Sequence, residues 1–302
     1  MNVSIIGLGL IGGSMARDLR TRGLGDRFIG TEANNDHASK ALALGLVDEI
    51  VPLEQAVKTS DLVLVCIPVS AIQKQLHNIL DIAADNAVVI DTGSTKSLIC
   101  NAVKDHPRRG QFVASHPIAG TENSGPDAAL AGLFRNKVNI VCERERSSQH
   151  ALDLAQRVFD ALQMKTTFMD AYEHDKHVAY VSHLSHVSSF LLGQTVLDIE
   201  KDEKNIFTLA GSGFASTVRL AKSSPDMWAP IFEQNSGFLR RALEEYITHL
   251  KRFHQCLVNG ETGKVFEILT QANEIRRVLD GIELNQQKLH TENPKISVES
   301  KP

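Results

Sequence analysis

Along the first half of the chain, short wholly apolar runs alternate with stretches in which apolar residues recur every three or four positions. The runs Val3–Ile6, Phe28–Thr31, Leu62–Ile67, Ala87–Asp91, Phe112–Ser115 and Val138–Cys142 lack the polar alternation of a half-exposed strand, so they predict strands of a parallel sheet buried on both faces. Amphipathic stretches near 11–22, 35–44, 69–80, 96–104 and 147–161 predict helices between them, and a further short strand is expected near Thr166–Met169. Such alternation is the pattern of an open, doubly wound α/β sheet.

After Asp170 the strand-like runs stop. Helical periodicity takes over near 171–200, 203–222, 225–256 and 261–281. In the first of these, Tyr180, Leu184, Val187 and Leu191 repeat at helix spacing, and Val181, Phe190, Leu192, Val196 and Leu197 widen the apolar face. A stripe that broad needs cover on more than one side. It predicts an all-α second part that packs against a second copy of itself in a homodimer. The polar run after Ile282 predicts a frayed tail.

Composition narrows the classes. With 302 residues, 42% hydrophobic and 23% charged, the chain is globular rather than disordered. A formal charge of -4 without a Lys/Arg-rich run argues against a nucleic-acid surface. The four cysteines lie far apart with no CxxC, which fits reduced thiols in the cytoplasm. The apolar start is broken by glycines and lacks a basic leader, and no apolar run approaches the roughly 20 residues of a membrane span.

"SIIGLGLIGGS" sets Gly7, Gly9 and Gly12 in a G-x-G-x-x-G pattern between the first strand and a helix. Gly7 permits a tight turn, Gly9 lets the backbone approach a pyrophosphate, and Gly12 lets the helix pack close to the strand. The second strand ends at Glu32, about 20 residues on, where a carboxylate accepts from ribose hydroxyls. Alternatively Glu32 is a solvated strand-end acid. No cation follows it in "EANN", so NAD is expected rather than NADP. Leu8, Leu10 and Ile11 in the turn, with Ile67 and Pro68 at the next strand's end, join the candidate cofactor contacts. The fold expected is a Rossmann-like domain over 1–169, a helical substrate and dimerisation domain over 170–282, and a tail over 283–302.

Ligands in such sheets bind beyond the carboxyl ends of the strands. "VVIDTGSTK" brings Asp91, Ser94 and Lys96 there, and "FVASHPIAGTENSG" brings Ser115, His116, Thr121 and Glu122. Pro117 holds His116 in extended conformation, so its ring projects from a rigid base. An imidazole with a pKa of about 6.5 can take a proton at neutral pH. It suits a hydroxyl whose carbon gives up hydride, although a strand-end histidine can equally bond a backbone carbonyl. Ser94 either caps the next helix or orients a ligand.

"GLGLIGGS", "DTGSTK", "HPIAGTENSG", "HDKHVAYVSHLSH" and "GFASTVRLAKSSPDMW" together resemble the prephenate dehydrogenases and their arogenate and cyclohexadienyl relatives. The resemblance covers roughly residues 1 to 282. It implies NAD-dependent oxidative decarboxylation of prephenate to 4-hydroxyphenylpyruvate, or of arogenate to tyrosine. It further implies His116 as the base or hydrogen-bond acceptor, with Ser94 orienting the hydroxyl. His186 becomes a substrate-site residue and Arg219 the anchor for a substrate carboxylate, with Thr121 and Glu122 nearby. Read without it, Arg219 is an ordinary solvated helix cation. No mutase segment precedes the glycine motif and the tail is too short for a regulatory domain, so tyrosine feedback through such a domain is not expected.

Two rival classes compete with this reading. A 3-hydroxyacid or 6-phosphogluconate type of dehydrogenase needs a catalytic lysine on the first long helix, where only Lys176 is available. A non-catalytic NAD-sensing module should carry a recognition helix or partner segment. His174, His177, His183 and His186 mimic two metal pairs, but on one continuous helix the pairs lie roughly 120° to 180° apart. No metal is expected. His174, His177 and His183 then read as surface or packing residues, with His174 nearest the cleft.

Overall fold

The computed structural model describes residues 1–201 and 206–281. The expected tail at 283–302 and the first residues of the helix expected from 203 lie outside them. In chain order the elements are β1 (Asn2–Ile6), α1 (Leu10–Thr21), β2 (Arg27–Thr31), α2 (Asn35–Ala43), β3 (Glu49–Ile50), α3 (Leu53–Lys58), β4 (Leu62–Val65), α4 (Val69–Ile82), β5 (Val88–Asp91), α5 (Ser97–Ala102), β6 (Phe112–Pro117), β7 (Val138–Cys142), α6 (Gln149–Ala161) and β8 (Lys165–Met169). They continue with α7 (Ala171–Val178), α8 (Leu184–Glu200), α9 (Ser212–Val218), α10 (Pro225–Gln234), α11 (Ser236–Val258) and α12 (Thr262–Ala272).

The eight strands form one sheet in the order β3-β2-β1-β4-β5-β6-β7-β8. Its central strands are buried on both faces, as their unbroken apolar runs require. Val3, Ile5, Leu62, Leu64, Val88 and Ile90 enter the core beneath α1 and α6. Their neighbours Ile6, Val63, Val65 and Val89 enter the opposite core with Ile72, Leu76 and Ile79 of α4. Trp228 and Ile231 of α10 join that second core, so α10 is seated on the α4 face. The one-residue alternation splits each strand between two cores, and each fully buried aliphatic contributes about 1.5–3 kcal/mol.

The expected all-parallel arrangement needs correction at one strand. β7 runs antiparallel to β6, with His116 opposite Ile140, while β7 and β8 are parallel. Parallel neighbours need a crossover, usually helical. The 118–137 segment instead bonds along α1, Leu130 N–H donating to Ser14 Oγ and Gly132 N–H to the Asp18 carboxylate. It then returns beside β6, where Ile118 N–H donates to Val138 O. The two-residue β3 and the six-residue α3 were not expected; elements so short carry no resolvable periodicity.

The helix expected over 171–200 is two helices. A π-helical turn at Ala179–His183 separates α7 from α8. The stretch expected as 225–256 breaks at Asn235, between α10 and α11. Residues 206–222 hold only α9 flanked by 3-10 turns. By internal contacts the described chain forms two compact units, divided between Ala242 and Leu243. The first contains the sheet and α1 to α10. The described part of the second contains the remainder of α11, with buried Cys256, and α12. Among the described residues no helix is long and apolar enough to cross a membrane.

Candidate active site

Where β1 meets α1 the backbone does what the glycine spacing requires. Gly7 adopts φ +91°, and a Cβ there would lie 2.6 Å from the Cys66 carbonyl oxygen. A Cβ on Gly12 would lie 2.0 Å from Gly7 O, so strand and helix touch through glycine. Above Gly9 nothing lies within 4 Å of the same construction, which leaves open space at the N-terminus of α1. No side chain caps that terminus. Its free N–H groups and positive helix end suit a pyrophosphate. Glu32 is half-buried, accepting from Leu8 N–H at 2.9 Å and Asn34 N–H at 3.1 Å. These bonds fix the carboxylate at the end of β2. Leu8 and Leu10 are buried in the core, so only their main chain can face a nucleotide, whereas Ile11 and Ile67 are half-buried and Pro68 is exposed. The turn therefore fits a dinucleotide with a free ribose 2'-hydroxyl.

At the ends of β5 and β6 a buried ion pair stitches the rim together. Lys96 Nζ donates to Asp91 and, at 2.7 Å, to Ser115 O, and both side chains are fully buried. Asp91 also accepts from Gly93 N–H at 2.8 Å and Ser115 N–H at 3.1 Å. These bonds align the backbone before His116. The helix α5 is capped from afar: Asp175 accepts Lys96 N–H at 2.7 Å and Ser97 N–H at 2.8 Å. Ser94 is thereby relieved of the capping role, and its hydroxyl has no partner among the described residues.

His116 is half-buried, and its Nδ1 lies 2.8 Å from His174 Nε2. His174 Nδ1 in turn lies 2.8 Å from Asp175 Oδ1. Burial, with the nearby His174, Lys96 and His183, holds the His116 imidazole well below the usual histidine range, so it is neutral at pH 7. The bonded-carbonyl reading of His116 fails, because its Nδ1 faces another imidazole.

Of the helical-side histidines expected at the surface or in packing, His174 and His183 are buried and His177 is exposed. The π turn falls between His174 and His186, so no single continuous α-helix carries these four histidines. His183 Nδ1 accepts from Asn235 Nδ2 at 3.0 Å, and the same amide donates to Asp175 O at 2.7 Å. His186 donates from Nδ1 to Ser182 O at 3.0 Å and stacks on Trp228 at 3.5 Å between ring centroids. Burial holds its pKa below normal, with the charge of Arg219 acting in the same direction against the bond to Ser182 O. Arg219 is half exposed and donates to Glu122 Oε2 at 3.0 Å. Thr121 accepts from Asn123 N–H at 3.2 Å in a local turn. Trp228 is buried and its indole N–H has no protein partner.

Of the expected residues the structure pairs Arg219 with Glu122, seats His186 on Trp228 and sets His116 against His174. It adds His174, Asp175, Lys96 and Trp228. Only the adjacency of His174 and Asp175 in "HDKH" hinted at their pairing. Lys176 points elsewhere, exposed and 3.3 Å from Glu173, so it offers no buried catalytic amine. Among the described residues one group has ligand atoms close enough for a metal: His77, Asp81 and His106. Arg108 N–H donates to His106 Nδ1 at 3.0 Å, which leaves Nε2 as the protonated nitrogen, 3.1 Å from Asp81. A ligating nitrogen needs a free lone pair, so this trio is a hydrogen-bonded clip.

A glycine turn built for a dinucleotide, with a neutral histidine at the adjoining rim, defines a nucleotide-dependent dehydrogenase. Residues 15–168 match the family model described as prephenate dehydrogenase, nucleotide-binding domain, and residues 170–271 that described as prephenate dehydrogenase, dimerization domain. The chain belongs to the prephenate dehydrogenase family. It is 30% identical to a cyclohexadienyl dehydrogenase of Zymomonas mobilis over 92% of this chain and 96% of that protein. A crystal structure of prephenate dehydrogenase from A. aeolicus, in complex with hydroxyphenyl propionate and NAD+, superposes with TM-score 0.84 at 30% identity, covering 92% of this chain and 98% of that one. Synechocystis arogenate dehydrogenase superposes with TM-score 0.71 at 29% identity, covering 92% and 100%.

Proposed function

We propose that the protein is a prephenate dehydrogenase of tyrosine biosynthesis, converting prephenate to 4-hydroxyphenylpyruvate and carbon dioxide with NAD. The observation that carries this reading is His116 at the carboxyl end of β6, held from behind by His174 and kept neutral by burial. Gly7, Gly9, Gly12 and Glu32 hold NAD, which when bound supplies the acceptor for the hydride of the hydroxyl-bearing ring carbon. His116 accepts the hydroxyl proton at Nε2, and the unpartnered Ser94 hydroxyl orients the same oxygen. The ring carboxylate leaves as carbon dioxide, and its bonding pair completes an aromatic ring. Arg219 exchanges Glu122 for a substrate carboxylate, a bidentate match. His186, stacked on Trp228, and Thr121 border the ring.

The domain reading stays at 1–169 for the nucleotide and 170–282 for substrate and dimerisation. A homodimer is supported by α8, where Leu191, Leu192, Leu197 and Ile199 are all more than a third exposed. Four cysteines without a disulfide agree with a cytoplasmic enzyme. Arogenate or dual specificity is the second reading, supported by the Zymomonas and Synechocystis relatives. The test is parallel turnover of prephenate and arogenate with NAD, following NADH and carbon dioxide together. Equal formation of both products from prephenate supports the proposal; NADH without decarboxylation, or turnover of arogenate alone, refutes it.

A further inference from the structure

We propose that His174 and Asp175 are positioning residues that lock His116 as its Nδ1–H tautomer, keep its Nε2 lone pair free for the substrate hydroxyl, and spread the charge formed when that proton arrives. The proposal rests on the dehydrogenase reading above and assigns work to two residues outside the contacts that reading needs.

The protonation states follow from one end of the chain of bonds. Asp175 Oδ1 accepts Lys96 N–H at 2.7 Å, and Oδ2 accepts Ser97 N–H at 2.8 Å. Hydrogen bonds from these N–H groups and from His174 favour the charged form, and together they outweigh burial and hold the carboxyl below its ordinary range. An ionised carboxylate only accepts. The third bond at Oδ1, 2.8 Å from His174 Nδ1, must therefore be donated by an Nδ1–H. A neutral His174 then has its lone pair on Nε2. That nitrogen faces His116 Nδ1 at 2.8 Å, so His116 donates from Nδ1. Its remaining nitrogen, Nε2, carries the lone pair and has no partner among the described residues.

Burial enforces this order. His174 is 0% exposed and Asp175 2%, so neither can exchange a protein partner for water without cost. A histidine that merely fills a core needs one carbonyl acceptor. Here both nitrogens of His174 are used in line, between an anion and the base. When His116 takes a proton at Nε2, its Nδ1 proton can pass to His174 Nε2 while His174 Nδ1–H stays against Asp175. One N–H bond forms at each imidazole and one breaks between them. The added charge then sits next to the carboxylate.

The charged and titratable groups facing the two imidazoles are Asp175 on α7, Lys96 and Asp91 from the end of β5 and the loop after it, and His183 from the π turn. Lys96 and Asp91 neutralise each other in their buried pair. Asp175 is thus the carboxylate left to stabilise an imidazolium.

The experiment has two arms. Asp175 also caps α5, so His174 is the residue to vary. In the first arm, nitrogen-15 NMR of the unliganded protein near neutral pH should show His116 and His174 each protonated at Nδ1 and unprotonated at Nε2. A His116 protonated at Nε2 overturns the proposal whatever the substrate. In the second, His174→Phe should lower kcat about 100-fold, the lower end for a compromised general base, with KM and NAD affinity within about threefold. The acidic limb of its kcat profile should move, because His116 loses its link through His174 to Asp175. His174→Gln, whose amide can accept from His116 and donate to Asp175, should recover part of that loss. Parental kcat in His174→Phe overturns the proposal. So does a loss expressed in KM or NAD affinity with the acidic limb unmoved, which marks a packing role. If the parent turns over neither prephenate nor arogenate, the dehydrogenase reading fails, and the NMR arm still judges the tautomer.

Discussion

Arg219 donates to the carboxylate of Glu122 at 3.0 Å although 97 residues separate them in the chain. One comes from the loop after β6, the other from the turn after α9. Arg219 is half exposed, so this pair contributes little to stability. In the proposed function its value lies in presenting a guanidinium to a substrate carboxylate. Replacing Arg219 by Gln removes a charged, two-pronged donor for a substrate carboxylate. Such bonds are worth roughly 1.5–3 kcal/mol, so KM should rise on the order of 10- to 100-fold with kcat much less affected. An unchanged KM in steady-state kinetics sinks the anchoring role.

His116→Asn tests the base itself. Asparagine keeps a polar group of similar reach at the end of β6 but cannot take a proton. kcat should fall by about 10² to 10⁴, the usual worth of a positioned general base. The glycine turn and Glu32 are untouched, so NAD affinity measured by calorimetry should stay within about twofold. Turnover near the parental rate would assign the proton to another group.

What the amino-acid order revealed, and what it hid, follows from the range of each interaction. Gly7, Gly9, Gly12 and Glu32 act through local backbone geometry, so their spacing alone located the turn. His116 was legible because Pro117 and the flanking strand confine it. The second line of the site was not. His174 meets His116 across 58 residues, and Asp175 caps a helix 78 residues earlier. The π turn at 179–183 was hidden too, since no side-chain pattern announces it. The reversed β7 was hidden for a similar reason: its apolar run looks the same in either direction, and only the path of the 118–137 segment along α1 decides.

Lys96 and Asp91 form a fully buried pair, and the two should respond very differently to single and paired substitution. Lys96→Met strands the Asp91 carboxylate in the core. The expected cost is roughly 3–5 kcal/mol, read as a lower urea midpoint. Adding Asp91→Asn removes the orphaned charge and keeps an acceptor for one of the two N–H groups, Gly93 or Ser115, that the carboxylate served. The double variant should therefore recover a substantial part of the loss. Equal destabilisation of single and double variants would show that the charge is not the issue.

The histidine cluster should also make the folded state sensitive to mild acid. Burial pushes His183 down to about 4, against the opposing pull of Asp175. In the unfolded chain the same ring takes its proton near its ordinary value of about 6.5. Between those two values the unfolded state binds more protons, so the stabilisation is complete above about 6.5 and drains away as pH falls toward 4. His116, His174 and His186 are all depressed as well and act in the same direction. Asp175 and Asp81 are held low, so their stabilisation is also lost in acid, but only below the ordinary carboxylate range, and it adds little at pH 5. A shift of His183 from about 6.5 to about 4 corresponds to roughly 3 kcal/mol at most. The urea midpoint should therefore drop between about pH 7 and pH 5, and it should drop less in His183→Gln, where no proton can be taken up. A midpoint that stays level across that range in the parent would mean that the buried rings are not held neutral by folding.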